Sequence, residues 1–245
     1  IIFAATWLAA SLVPTFTTHL LLWPAADLIA LVALLGFARF FTALAGMDVG
    51  TSFGGLGASR EMMIASLAEP AMLMVIFTLS LLAGTTSPVH IVSFVLHGGV
   101  GLEVSLGLAL AALVMVAVAE CGRIPIDNPA THLELTMVHE AMVLEYSGRH
   151  LALIEAANMV RLLLYLSLIG CIFVPWGISL RSNNLALIAL GLGAYGLKLL
   201  TGAAALALAE TVVAKMRVFR VADFLTGALL LAILGTIFLY VSEAV

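Results

Sequence analysis

The chain has 245 residues, of which 63% are hydrophobic and only 10% are charged, and its mean hydropathy is +1.21. Soluble domains usually contain about half apolar and about a quarter charged residues, so this composition excludes an ordinary soluble enzyme and a disordered chain. The net charge of −4 excludes the basic surface that a nucleic-acid-binding protein needs.

Seven apolar stretches follow one another along the chain. A hydrocarbon core of roughly 30 Å takes about 20 helical residues, and the stretches do not alternate polar and apolar residues as barrel strands do. We therefore predict an all-α, polytopic transmembrane bundle. Its spans are predicted at roughly 1–13, 27–47, 62–84, 103–122, 151–176, 184–209 and 222–243.

Two features at the ends of these stretches affect the interpretation. No basic segment precedes Ile1 and no clear cleavage site follows residue 13, so we interpret 1–13 as the end of a transmembrane helix rather than a signal peptide. The glycines of Gly54-Gly55-x-Gly57 are interpreted as part of a turn-rich loop in the connection 48–61.

Basic residues collect on one side of the predicted bundle. The connections 48–61, 123–150 and 210–221 carry six of them, whereas the opposite loops carry Arg181 alone. The positive-inside rule places the richer side in the cytoplasm. The six residues are Arg60, Arg123, Arg149, Lys215, Arg217 and Arg220.

The connection 123–150 is the longest and most polar. Asn128 followed by Pro129 is typical of a helix start, so a short helix is predicted there. It forms either a packing helix at the membrane surface or the wall of a functional site.

Several ionisable residues lie where a membrane disfavours them. A charge at the centre of a span costs roughly 2.5–3.5 kcal/mol, so it needs a partner or water. Arg39, Glu69 and Lys198 lie far from any helix end, which predicts ion pairing or a function inside the bundle.

A second group of charges lies near the predicted cytoplasmic face. Glu120 and Arg123 are three residues apart and are predicted to form a pair at the end of their helix. Glu155, Asn158 and Arg161 are also three residues apart in turn, which places them on one helix face. With the acids of the connection (Glu134, Glu140 and Glu145) they form a cluster in which like charges and desolvation shift carboxylate pKa values. Such a cluster suits proton transfer; the alternative is a set of helix-end charges in the headgroup region.

Nothing in the sequence indicates catalysis or metal binding by this chain. Cys121 and Cys171 do not form a C-x-x-C pair, so neither an iron–sulfur nor a zinc site is predicted. His132 and His139 are seven residues apart and lack the H-E-x-x-H spacing of zinc enzymes.

Residues 119–161, AECGRIPIDNPATHLELTMVHEAMVLEYSGRHLALIEAANMVR, resemble the cytoplasmic loop and following helix of the complex I subunit 1 family. Residues 46–70 resemble the preceding loop and helix of that family, with Arg60 and Glu69 nine residues apart. The runs GASRE and LEYSG are more similar to the branch that contains the membrane subunits of formate hydrogenlyase and hydrogenase-4. The elements that carry the resemblance are Glu120-x-x-Arg123-x-Pro125-x-Asp127, Glu134, Glu145-Tyr146-Ser147-Gly148, Glu155 and Asn158-Met159.

The resemblance implies a non-catalytic subunit of an oxidoreductase complex with eight transmembrane helices, in the plasma membrane of a prokaryote. Such a subunit anchors a hydrophilic arm with iron–sulfur and nickel–iron subunits and links it to antiporter-like, proton-translocating subunits, binding no cofactor itself. The implied acidic chain toward the membrane is Glu69, Glu120, Glu134, Glu145 and Glu155, extended by Arg39 and Lys198. The implied junction or quinone site comprises Arg60, Asp127, Arg149 and Arg161.

Three alternatives remain open at this stage. One is a quinone-binding subunit of an NADH dehydrogenase-type complex, with the headgroup near Arg60, Glu145 and Arg149, although NPATHLELTMVHEAM departs from the acidic pattern of quinone-reducing relatives. Another is a stand-alone secondary transporter that uses Arg39, Glu69 and Lys198. The last is a passive anchor in which the charges form structural ion pairs.

Overall fold

The fold is described from a computed structural model, for residues 1–18, 23–97, 104–123, 138–178, 185–212 and 219–244. These residues form a helical bundle without a β-strand. The predicted all-α class is therefore confirmed.

Nine α-helices lie in the described ranges, and five of them are long and apolar enough to span a membrane: α2, α3, α7, α8 and α9. The apolar helices α1 and α5 are shorter, and a 3-10 turn covers Trp23–Ala25. The chain is a multi-pass membrane protein. The helices are α1 (Ile2–Ser11), α2 (Leu28–Asp48), α3 (Ser52–Ala83), α4 (Pro88–Leu96), α5 (Val104–Glu120), α6 (His139–Val143), α7 (Gly148–Ile172), α8 (Leu185–Val212) and α9 (Phe219–Ala244).

The beginning of α3 differs from the prediction, because the segment interpreted as a glycine-rich loop is helical. Thr51 caps the helix by accepting a hydrogen bond from the backbone N–H of Gly54 (3.2 Å). The glycines serve close packing: a Cβ atom on Gly54 would overlap the carbonyl oxygen of Gly46, and one on Gly57 would lie 2.7 Å from the carbonyl oxygen of Val138. The loop interpretation of Gly54-Gly55-x-Gly57 was therefore wrong.

Two short helices lie between the spans. Helix α4 was not predicted; it begins at Pro88, a residue whose fixed φ suits the first helical turn. The helix predicted from Asn128 to Leu144 begins in residues 124–137, outside the described residues, and its last part coincides with α6. The described part of that connection contains α6.

The core lies between α9, α3 and α5, since α9 packs mainly against these two helices. A buried hydrogen bond of 2.8 Å joins the hydroxyls of Thr78 and Thr236 across the α3–α9 contact. Helix α8 lies at the periphery and packs chiefly against α7. Side chains of α8 such as Leu190 and Leu200 are consequently exposed.

One end of the bundle gathers the ends of α2, α5 and α8 and the beginnings of α3, α7 and α9 around α6; we refer to it as the α6 end. Met142 of α6 lies against Gly46 of α2, and an ion pair of 3.6 Å joins Arg123 after α5 to Glu210 of α8. The connections predicted to share one side of the membrane therefore lie at the same end of the molecule.

Candidate functional site

Arg39 lies near the middle of α2 and is surrounded by three carboxylates. Its Nη2 contacts Oε2 of Glu120, its Nε lies 3.5 Å from Oε1 of Glu61, and its Nη1 lies 3.7 Å from Oε1 of Glu69. We call these four residues the Arg39 cluster. It joins α2, α3 and α5 through one guanidinium group.

Burial makes this cluster energetically sensitive. The side chains of Arg39 and Glu120 are 2% and 3% exposed, whereas that of Glu69 is 43% exposed. Breaking a buried pair by removal of one partner typically costs 3–5 kcal/mol, because the remaining charge has lost its compensation. The Arg39–Glu120 pair is therefore the structural centre of the cluster.

The other two carboxylates are held more loosely. Within the described residues, Nε and Nη1 of Arg39 have no hydrogen-bond partner, although Glu61 and Glu69 lie within ion-pair distance. Hydrogen bonds to carboxylates are usually 2.7–2.9 Å long. The guanidinium thus binds one carboxylate closely and attracts two more across wider gaps.

A polar cavity of about 320 Å³ opens at the α6 end, and we call it the α6-end cavity. It contains two residues of the Arg39 cluster together with the polar residues of α6 and of the first half of α7. Its polar lining residues are Glu61, Glu120, Arg123, His139, Glu140, Glu155, Asn158 and Arg161.

Arg161 is the deepest cation of this cavity. Its residue exposure is 5%, and among the described residues its Nε has no hydrogen-bond partner. Asn158, one turn earlier on the same face of α7, contacts Nε2 of His139 at 2.6 Å. An unsatisfied buried donor is costly, so the cavity is suited to hold polar groups or water against Arg161.

A second opening faces sideways between α2 and α3, and we call it the α2–α3 groove. Its volume is about 490 Å³ and its walls are apolar except for Arg39 and Glu69. Gly36 of α2 makes room for the carboxylate, since a Cβ atom there would lie 3.2 Å from Oε1 of Glu69. Glu69 lies close to the midpoint of α3, far from either end of the bundle.

The structure brings together five of the predicted residues. Glu120, Glu155 and Arg161 line the α6-end cavity, and Arg39 and Glu69 belong to the Arg39 cluster. Glu120 and Arg161 are buried within the bundle.

The remaining predicted residues lie elsewhere or outside the described ranges. Lys198 lies beside Gly170, toward the opposite end of α7 from the cavity, and in the described residues it has no ion pair. The exposed Glu145 and Arg149 and the half-buried Arg60 do not line the α6-end cavity. Glu134, Asp127 and His132 lie in residues 124–137, which are not described.

Two aspects of the site differ from the sequence interpretation. The predicted pairing of Glu120 with Arg123 was wrong: Glu120 faces inward to Arg39, and Arg123 pairs with Glu210. Glu61 was missed because it was assigned to a loop. Once the segment is recognised as helix, its eight-residue spacing from Glu69 places both carboxylates on one face.

The structure offers no candidate metal centre in the part of the chain that it describes, since no three His, Cys, Asp or Glu side chains converge there. The polar groups of the site are carboxylates, guanidinium groups and hydrogen-bond donors. These groups can hold, exchange or repel protons.

Comparison with known proteins identifies the family. The sequence pattern of the family described as NADH dehydrogenase matches residues 1–241. The chain belongs to this family. The prediction of a complex I subunit 1-like protein is therefore confirmed, and the chain is a membrane subunit of the complex I-like kind.

Two relatives from Escherichia coli (strain K12) come from the predicted branch. Formate hydrogenlyase subunit 4 is 32% identical over 191 residues, which cover 78% of this chain and 61% of that protein. Hydrogenase-4 component C is 37% identical over 161 residues, which cover 66% of this chain and 49% of that protein. The chain thus spans between about half and three fifths of the length of these relatives.

A solved structure has the same fold. A chain of the membrane-bound sulfane sulfur reductase, described as an archaeal respiratory membrane complex, superimposes with a TM-score of 0.76 at 20% identity. The similarity covers 96% of this chain and 76% of that chain. The helical arrangement is therefore one found in a multi-subunit membrane complex.

Proposed function

We propose that the chain is the junction membrane subunit of a complex I-like, energy-converting complex of the hydrogenase or formate hydrogenlyase type. In this role it anchors a cytoplasmic arm that carries iron–sulfur clusters and a nickel–iron centre. It links redox chemistry in that arm to ion translocation by antiporter-like membrane subunits. The chain itself contributes charged side chains and no cofactor.

The observation that supports this proposal is a row of ionisable groups from the α6 end to the middle of the bundle. The row begins at Glu155 and Arg161 in the α6-end cavity and continues through Glu120 and Arg39 to Glu69. Each charge at such a depth is costly. A passive anchor needs none of them, whereas a subunit that transmits charge across half the membrane does.

The arrangement suggests how redox chemistry is coupled to the membrane. A change of charge or loop position at the α6 end alters the field on the carboxylates of the cavity, and low local dielectric strengthens that effect. A proton bound by Glu120 weakens its attraction to Arg39. The guanidinium then redistributes its attraction toward Glu61 and Glu69, so the change reaches the middle of α3.

The basic residues support an orientation for this function. By the positive-inside rule, the α6 end faces the cytoplasm of a prokaryotic plasma membrane, where it meets the hydrophilic arm. In this proposal Arg60, Glu145 and Arg149 on the outside of the α6 end contact that arm. Asp127 and Glu134 belong to the same junction.

The partners are tested by purifying the complex through a tag on this subunit in mild detergent, with mass-spectrometric identification of the associated chains. We expect iron–sulfur and nickel–iron subunits together with antiporter-like subunits. A stable, folded chain that purifies alone and transports an ion or solute would contradict the proposal and favour the secondary-transporter alternative.

Coupling is tested with Glu69→Gln and Glu155→Gln in membrane vesicles energised by the complex's own electron donor. We expect both variants to lose proton translocation while electron transfer continues, because each interrupts the charged row. The matched control is Asp223→Asn, which changes an exposed carboxylate of α9 outside the cavity. If translocation persists in both Gln variants, the row does not carry the coupling.

A quinone-binding role is the second candidate, and the α6-end cavity is the observation that favours it. Its volume of about 320 Å³ falls within the range of small-molecule sites, and Arg161 and Asn158 offer donors for a quinone carbonyl. Quinone-dependent electron transfer that is abolished by Arg161→Leu would support this role. If an active complex shows no quinone-dependent electron transfer, the hydrogenase-type assignment is retained.

A further inference from the structure

Arg39 lies between the α6-end cavity and the α2–α3 groove. The first contains Glu61 and Glu120, the second contains Arg39 and Glu69, and among the described residues no residue lines both. The Arg39 guanidinium nevertheless lies within ion-pair distance of all three carboxylates. It therefore occupies the position through which the two spaces would communicate.

An arginine is a poor conductor of protons. Its guanidinium remains protonated in proteins and has donors but no acceptor, so it cannot receive a proton on one side and release one on the other. Its positive charge also repels protons, and arginine side chains exclude protons and cations from narrow pores by this means. Carboxylates, which line both neighbouring spaces, and water have neither limitation.

The way Arg39 is held fits this role. Its contact with the buried Glu120 anchors the guanidinium, while the wider gaps to Glu61 and Glu69 contain no hydrogen bond. A side chain anchored to one carboxylate and facing two others separates those two without binding either closely. Its loss would leave Glu61 and Glu69 on opposite sides of a space large enough for water.

We infer that Arg39 is an electrostatic barrier that prevents protons in the α6-end cavity from reaching the α2–α3 groove when no redox chemistry drives them. The inference rests on the proposed function, because it assigns a role within the same charged row. The barrier meets a requirement that the charged row does not meet by itself, namely that the resting complex must not leak protons.

The test is passive proton entry into liposomes that contain the whole purified complex, with a pH-sensitive dye inside, an imposed potassium diffusion potential and no electron donor. Arg39→Gln is expected to raise the entry rate on the order of a hundredfold, the ratio that corresponds to the insertion penalty of one central charge. Arg220→Gln, an exposed arginine of α9, is the matched control and is expected to leave the rate unchanged.

A second variant connects the leak to the groove. Arg39→Gln/Glu69→Gln is expected to return the entry rate to the wild-type value, because the acceptor on the groove side is gone. An elevated rate that this double variant retains would indicate damaged packing and overturn the inference. A wild-type rate in assembled Arg39→Gln complex would overturn it as well.

Assembly and coupling are separated from the barrier by two further measurements. Arg39→Gln/Glu120→Gln removes the most closely bound carboxylate together with its cation, so it serves if the single variant does not assemble, with the same leak expected. Passive proton entry needs no electron transfer, so a leak in the Arg39 variants supports the barrier by itself. This holds even if driven translocation persists in Glu69→Gln and Glu155→Gln, a result that would refute the proposed function. If the wild-type complex couples electron transfer to translocation and neither Arg39 variant leaks protons, the barrier is refuted while the proposed function stands.

Discussion

Removing one partner of the Arg39–Glu120 pair should destabilise the protein far more than removing one partner of the Arg123–Glu210 pair in the same region. Both Arg39 and Glu120 are almost fully buried, and removing one partner of such a pair costs about 3–5 kcal/mol. Arg123 and Glu210 are 45% and 37% exposed, and pairs of that kind contribute about 0.2–1 kcal/mol. We expect Glu120→Ala to lower the free energy of unfolding severalfold more than Arg123→Ala.

The cluster also predicts which partner of the buried pair costs more stability when it is removed. Glu120→Ala leaves Arg39 with two carboxylates at 3.5 and 3.7 Å, so its cost should lie near about 3 kcal/mol. Arg39→Ala leaves three carboxylates without a cation, so its cost should approach about 5 kcal/mol.

Unfolding can be followed through a buried thiol. Cys171 is 1% exposed, so in a Cys121→Ser background its labelling by a maleimide reports opening of the bundle. The rate is measured across a denaturant series on the detergent-purified complex, from the mass of the peptide that contains Cys171, because partner subunits carry cysteines of their own. Equal labelling of Glu120→Ala and Arg123→Ala would refute the reasoning, since it would mean that burial does not distinguish the two pairs.

Two further predictions concern packing within the bundle. Gly54→Ala should destabilise the protein by about 1–3 kcal/mol, because the added methyl overlaps the α2 backbone. Gly55→Ala is the control, since in the described structure a Cβ atom there meets nothing within 4 Å. Comparing the thermal unfolding of the two variants tests this prediction. Thr78→Val or Thr236→Val should each cost about 0.5–1.5 kcal/mol by removing the 2.8 Å hydrogen bond between the two hydroxyls, because the hydroxyl that remains still donates to the carbonyl oxygen of Met74 or Ala232. The double variant should cost less than the sum of the two single variants, since both remove the same bond. Additive losses in the double-mutant cycle would contradict the second prediction.

The helical spans could be predicted from the sequence because their apolar runs are long. The predicted span 27–47 matches α2, which covers Leu28–Asp48. The start of α3 was missed because glycines were interpreted by their turn preference. At Gly54 and Gly57 the absent side chain serves a close helix contact instead, and that requirement belongs to a partner segment that the local sequence does not reveal.

The site was predictable in composition but not in pairing. Charges at the centres of spans are conspicuous in any hydropathy profile, so Arg39 and Glu69 were found. The contacts of Arg39 with Glu69 and Glu120 depend on how α2, α3 and α5 pack, and residues 39 and 120 are remote in sequence. Local spacing favoured Arg123 as the partner of Glu120, and tertiary packing overrode it.

The hydrogen bond between Thr78 and Thr236 sets a sequence of events for biosynthesis. The two residues are 158 positions apart, and at 5–20 residues per second the ribosome needs about 8–30 s to make the intervening chain. During this interval the face of α3 that later meets α9 is inserted without its final neighbour, and this face carries the hydroxyl of Thr78. The newly made protein therefore depends on lipid, the insertion machinery or another chain to cover that face until α9 arrives.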